Sequence, residues 1–181
     1  LVAQRAAALQ RVERLLPERI GAVKTRIHGD YHLGQVLVVQ NDYAIIDFEG
    51  EPARPLTERR AKGSPLADVA GMLRSFAYAA ATAVRQMADI QPAAEAVLAE
   101  RGEEWRRQIS DAFLRRYRVV MAGAASMPDD AATMETMLLF FMLEKAFYEI
   151  DYELANRPQW AGIPVAGALS LLEHELAHAD A

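Results

Sequence analysis

Cysteine is missing altogether from the 181 residues, which excludes a disulfide framework and a thiolate metal site and accords with a reducing compartment. Long apolar runs are missing as well. The longest, Met137 to Leu143, falls far short of the roughly 20 residues that a membrane-spanning helix needs, so no membrane partner is expected. A basic field is also absent: the net charge is -5, with Lys and Arg scattered among acids, which argues against nucleic acid as a partner. The chain starts at Leu1 without an initiating Met or the charged-then-apolar pattern of a secretory signal. A cytoplasmic location is therefore expected, and the chain reads as a piece of a longer protein.

What is present is a large apolar fraction, 52%, enough for 181 residues to bury a core as a single domain. Ala, Leu and Val recur at helical spacing from Leu1 to about Leu16, where Pro17 ends the pattern. The segment Lys24 to Asp47 is instead rich in Val and Ile, and Val36–Gln40 and Tyr43–Asp47 flank Asn41-Asp42, which predicts a hairpin with a two-residue turn. Glu51 to Pro65 holds three prolines and Gly63 without apolar periodicity and reads as an exposed loop. Helices are predicted over Leu66–Met87, Pro92–Met121, Asp129–Asn156 and Val165–Ala179, the first capped by Ser64 with Pro65 in its first turn. The predicted class is α+β, mostly α, with a small β unit near the start.

Polar residues crowd between the β-forming runs, as His28-Gly-Asp-Tyr-His-Leu-Gly-Gln35 and then Asp47-Phe-Glu-Gly50. Phosphoryl transfer calls for a carboxylate that takes the proton of the attacking hydroxyl and for oxygen ligands to magnesium on the nucleotide phosphates. In the kinase pattern the catalytic Asp is followed five positions later by an amide ligand, and a second Asp opens an Asp-Phe motif beyond a hairpin. Asp30, Gln35 and Asp47-Phe48 repeat that order and spacing. Antiparallel strands joined by a tight turn return the chain, so Asp47 is expected beside the loop that carries Asp30 and Gln35.

With those residues in view, the chain resembles the aminoglycoside-phosphotransferase and choline-kinase superfamily, and within it the maltokinases. The likeness extends through Pro55–Ser64, Asp68–Tyr78 and Glu144–Pro158. It implies the C-terminal lobe of a protein-kinase-like fold, with Asp30 as base, Gln35 and Asp47 as Mg2+ ligands, Glu49 as a supporting acid, and His28 and His32 as buttresses. It further implies ATP as co-substrate, maltose or a similar sugar as acceptor, maltose 1-phosphate as product, and trehalose synthase as a possible associate. Tyr78, Lys145, Tyr148, Tyr152, Asn156, Arg157 and Trp160 are the implied sugar contacts. The nucleotide lobe of such kinases is not represented, since no Gly-rich loop or strand-borne lysine precedes Asp30.

Other readings compete. Asp30 chemistry serves any hydroxyl, so an aminoglycoside or another hydroxylated molecule is an alternative acceptor; without the nucleotide lobe, a silent sugar-binding module is another. His174-Glu-Leu-Ala-His178 satisfies the H-E-x-x-H pattern of zinc hydrolases, but it ends three residues before Ala181 and leaves no room downstream for a third ligand. Asp68, near a helix start, reads as a cap or dipole partner, and the Met and Phe stripe from Met134 to Phe147 reads as core.

Overall fold

The computed structural model describes residues 20–179, with side chains up to residue 172. The opening helix predicted over residues 1–16 lies outside the described residues, as do the side chains of His174 and His178. Two short antiparallel strands, β1 (Val36–Val39) and β2 (Asp42–Ile45), precede five α-helices: α1 (Leu56–Arg59), α2 (Leu66–Ile90), α3 (Glu95–Val120), α4 (Ala131–Asn156) and α5 (Gly162–Ala179). Single 3-10 turns occupy Leu33–Gln35, Pro92–Ala94 and Pro158–Trp160. This is the mostly helical class with a small two-stranded sheet that the sequence predicts.

The hairpin pairs Val36 with Ile45 and Val39 with Asp42, so the turn is Gln40-Asn41, one position earlier than predicted. Gln40 takes φ 55, the left-handed conformation that two-residue hairpin turns demand, and this frees Asp42 to join the ladder. The stretch Glu51–Pro65 also departs from expectation, because it winds into α1 once Pro55 opens a helical turn.

Helix α2 is the spine of the molecule. Leu66, Val69, Ala70, Leu73 and Phe76 recur at steps of three and four residues, and each is at most 6% exposed, which is the stripe an amphipathic helix turns inward. At roughly 1.5–3 kcal/mol for each large side chain fully withdrawn from water, this stripe anchors the fold. It packs on Met134, Met137 and Leu138 of α4, with Ile109, Phe113 and Leu114 of α3 closing the other side. The Met and Phe stripe is thus core at Met134 and Met137, as expected, and partly buried at Phe140, Phe141 and Met142, but Phe147 at its end is 37% exposed. Asp130 caps α4 by accepting the Thr133 amide at 2.7 Å. Arg74, 3% exposed, is neutralised by Glu149 at 2.6 Å and ties α2 to α4 above the apolar layer. Among the described residues no helix is long and apolar enough to cross a membrane.

Candidate active site

The segment before Asp30 is fastened by a single antiparallel bridge, Thr25 to Gly63, and then turns sharply. Gly29 takes φ +84, and a Cβ there would stand 3.1 Å from the Gly50 Cα, so the two loops touch backbone to backbone. Asp68 clamps this turn from below: its two carboxylate oxygens accept the amides of His28 at 2.7 Å and Gly29 at 2.8 Å. The structural role expected for Asp68 is therefore present, but it serves the loop carrying Asp30 rather than its own helix. Gly71, one turn further along α2, lets Tyr31 approach, since a Cβ would lie only 2.6 Å from the Tyr31 carbonyl oxygen. Burial and the Asp68 carboxylate push the Tyr31 phenol up from its ordinary pKa.

His28 lies beneath the loop. It is 5% exposed, its Nδ1 accepts the Asp30 amide at 3.3 Å, and its Nε2 bonds the Ile46 carbonyl at 2.7 Å, which fixes the Nε2–H tautomer. One ring thus joins the Asp30 loop to the chain just before Asp47, while Phe48 packs on it at 4.8 Å. His32 accepts the Gly34 amide at 3.0 Å and stands 3.7 Å from Asp30.

The hairpin return brings Gln35 and Asp47 together, with the Gln35 amide 3.1 Å from the Asp47 carboxylate. Asp47 adopts φ 62, a conformation that non-glycine residues take up sparingly and that gathers at functional sites. An amide and a carboxylate this close, both open to solvent, suit a hard cation that keeps water and phosphate oxygens as its remaining ligands. No group of three or more His, Cys, Asp or Glu side chains suited to a metal occurs among the described residues. Glu49 is exposed, and its carbonyl accepts Arg59 at 3.5 Å.

Beside Asp30 opens a cavity of about 340 Å³, lined by Asp30, Glu51, Arg54, Glu144, Lys145 and Tyr148 among others. The Lys145 ammonium lies 3.2 Å from Asp30 and 3.2 Å from Glu51, and the Tyr148 hydroxyl donates to Glu51 at 2.8 Å. Arg54 and Glu144 pair at 2.9 Å. The Tyr148 phenol is raised well above its usual range, by burial first and then by its bond to Glu51.

The remaining sugar candidates are Tyr78 on α2, Tyr152 and Asn156 in the last turns of α4, and Arg157 and Trp160 just beyond its end. Tyr148 stacks on Tyr152 with centroids 6.5 Å apart; Arg157 sits 5.8 Å from the ring centres of both Tyr152 and Trp160, and Arg85 covers Trp160 at 4.8 Å. Asn156 bonds the Tyr152 carbonyl at 2.8 Å. Tyr78 donates to Glu153 at 2.5 Å, and the same carboxylate receives Arg157 at 2.6 Å. Lys145 and Tyr148 thus line the cavity with Asp30, whereas Tyr78, Tyr152, Asn156, Arg157 and Trp160 do not line it. Glu51 carried no assignment in the sequence; its signal was an acid following Gly50 directly beyond the Asp47-Phe motif.

Comparison with known proteins gives the family. A glucosamine kinase from Mycolicibacterium smegmatis is 35% identical over 147 residues, covering 81% of this chain and 34% of that protein. One from Streptacidiphilus jiangxiensis is 27% identical over 150 residues, covering 83% of this chain and 32% of that protein. The chain therefore spans about a third of the length of these curated relatives. A solved structure of glucosamine kinase in complex with glucosamine, ADP and inorganic phosphate superposes with a TM-score of 0.75 at 27% identity, over 94% of this chain and 37% of that one. A second glucosamine kinase structure, crystal form A, shares the fold at a TM-score of 0.75 and 24% identity. Residues 1–118 match the APH model, described as the phosphotransferase enzyme family, and the chain belongs to that family.

Proposed function

We propose that this chain is the metal- and acceptor-binding part of a nucleotide-dependent sugar kinase, folded as one domain. The observation that carries the reading is the contact of Gln35 with Asp47 across the hairpin, next to a cavity into which Asp30 projects. Asp30 takes the proton from a sugar hydroxyl; the oxygen attacks the γ-phosphorus of ATP; the bond to the bridging oxygen breaks, and ADP departs. Gln35, through its amide oxygen, and Asp47 would hold Mg2+, which when bound offsets the phosphate charge. His28 fixes the loop carrying Asp30, while His32 limits the orientations open to the carboxylate.

Glucosamine is the first acceptor to test, because both curated relatives phosphorylate it by name. Maltose is the second, and one observation favours it: the Tyr148 ring at the cavity wall stacks on Tyr152, one turn further along α4, and aromatic rings in series suit a second sugar ring. The test is ADP release by the native polypeptide that carries this chain, with glucosamine, maltose or no acceptor. Asp30→Asn is expected to lower kcat by about 10²–10⁴-fold, the usual share of a general base, with the nucleotide still bound. Unaltered turnover in Asp30→Asn would overturn the assignment. A Tyr152→Ala loss confined to maltose would select the second acceptor.

A further inference from the structure

We propose that the last turns of α2 and the first turns of α3 form a second binding site, sharing no residue with the Asp30 cavity, for a linear amphiphilic monocarboxylate of medium chain length. The buried cluster that fills the molecule ends at Phe76 on α2 and meets α3 at Ile109, Phe113 and Leu114. The apolar stripe of α2 nevertheless runs on at steps of three and four residues, through Ala80 and Val84 to Met87. On α3 the Trp105 ring, one turn before Ile109, meets Phe76 edge-on at 6.3 Å. Between the two helices lies a cavity of about 480 Å³, lined by Ala83, Val84, Met87, Leu98, Arg101 and Trp105 among others. Met87 and Trp105 are 40% and 45% exposed, so among the described residues nothing covers this wall. A Cβ on Gly102 would stand 2.6 Å from the Val84 side chain; the helices are already in contact there and cannot approach further to fill the space.

The chemistry of the wall selects the ligand. Arg101 is the one charged residue in it, and no acid lines it. Among the described residues Arg101 has no partner, whereas Arg106 and Arg107 further along α3 are paired with Glu103 and Glu104. An apolar cavity with a single cation suits a molecule with an apolar body and one anionic end, which the guanidinium can grip by two parallel hydrogen bonds. The α2 side of the wall, from Ala79 to Met87, extends about 12 Å along the helix axis, which gives room to an extended chain. An extended peptide does not suit the same wall, because its amides and carbonyls would meet only Arg101 and the Trp105 indole N–H.

The test is calorimetric titration of the native polypeptide that carries this chain with the even-numbered straight-chain carboxylates from hexanoate to tetradecanoate, each below its micelle concentration, and with decanol. Saturable binding of one carboxylate per chain is expected, tightening about fourfold for each methylene buried until the ligand outruns the cavity, with a negative heat-capacity change. Arg101 is open to solvent, so Arg101→Gln should weaken decanoate by about 2–5-fold, the worth of an exposed ion pair, and leave decanol unchanged. Ala83→Leu fills the cavity with a residue that suits a helix and should weaken decanoate by about 10-fold or more, the worth of two displaced methylenes, with the melting temperature retained. No saturable binding, an affinity that rises with chain length without limit, or equal binding by Ala83→Leu would overturn the site. Decanoate affinity unchanged in Arg101→Gln would overturn the carboxylate assignment. Dimerisation that grows with protein concentration and is lost in Ala83→Leu, without decanoate binding, would overturn the proposal by giving this face to a second copy of the chain.

Discussion

Replacing Asp68 with Ala removes the acceptor of two backbone amides at once, those of His28 and Gly29. Each bond to a charged acceptor contributes about 1.5–3 kcal/mol, and discounting the Gly29 amide, which faces solvent, leaves about 2–4 kcal/mol for the pair. At roughly 2–4 °C per kcal/mol for a protein of this size, the melting temperature should fall by roughly 5–15 °C. The orphaned amides belong to the residues on which Asp30 is mounted, so activity should fall even well below the transition. A displacement of ~1 Å in a reacting group costs about 10²-fold, and kcat should drop by about that factor. Asp68→Asn keeps one acceptor oxygen but turns an NH2 toward a backbone amide, so it should recover less than half of the lost stability. Thermal unfolding followed by circular dichroism, together with ADP-release kinetics at 20 °C below the mutant transition, decides the matter. A melting temperature within about 2 °C of wild type and an unchanged kcat in Asp68→Ala would refute the clamp.

Gly71→Ala should destabilise by about 1–3 kcal/mol, because the added carbon would lie 2.6 Å from the Tyr31 carbonyl oxygen; denaturant unfolding reads this directly, and a neutral result would show that α2 can recede. Asp47→Gly should separate stability from activity: glycine suits φ 62 and should hold or raise stability by up to about 1 kcal/mol, while nucleotide-dependent turnover is lost with the carboxylate. Joint loss of both would show that Asp47 also shapes the loop. The Tyr78 phenol is raised from its ordinary 10.0 by burial and then by its bond to Glu153, and Tyr148 moves in the same direction. Their contribution is present in full below about pH 10 and fades as pH rises through the folded-state values. Wild type should accordingly lose stability above pH 10 more steeply than Tyr78→Phe, in melts taken from pH 8 to 12; parallel curves would refute the linkage.

What could be read from the sequence was whatever depends on near neighbours. The meeting of Gln35 with Asp47 was legible because a hairpin return carries its geometry within a short stretch of chain. Helices α2, α3 and α4 were legible from the spacing of residues such as Leu66, Val69 and Leu73. Contacts set by docking were not legible. Asp68 meets His28 across 40 positions, and Lys145 meets Glu51 across 94, and no periodicity links such pairs. The same reason explains the sugar candidates: seven polar and aromatic residues divide between the cavity and a network around Glu153, because Tyr78 on α2 faces Glu153 on α4 across 75 positions. The hairpin turn shifted by one because Gln40 takes the left-handed conformation.

The position of the site follows from where the fold is most rigid. The Asp30 loop has little regular structure of its own, so its precision must come from what it rests on. That support is the first two turns of α2, where Leu66 and Ala70 are completely buried and Val69 is 3% exposed. Asp68 and Gly71 are interleaved with these core residues, one as a clamp and one as a gap, so the loop is fastened to the part of the helix least able to move. From the opposite side α4 presents Lys145 and Tyr148 within a turn and a half of Leu143, which is 1% exposed. The left-handed backbone at Asp47, a strain of roughly 1–3 kcal/mol, persists because His28 ties Ile46 and Asp30 to one buried ring. Loosening that ring would therefore release Asp47 and Asp30 together, and the two carboxylates that the proposed kinase reading needs would be lost as one unit.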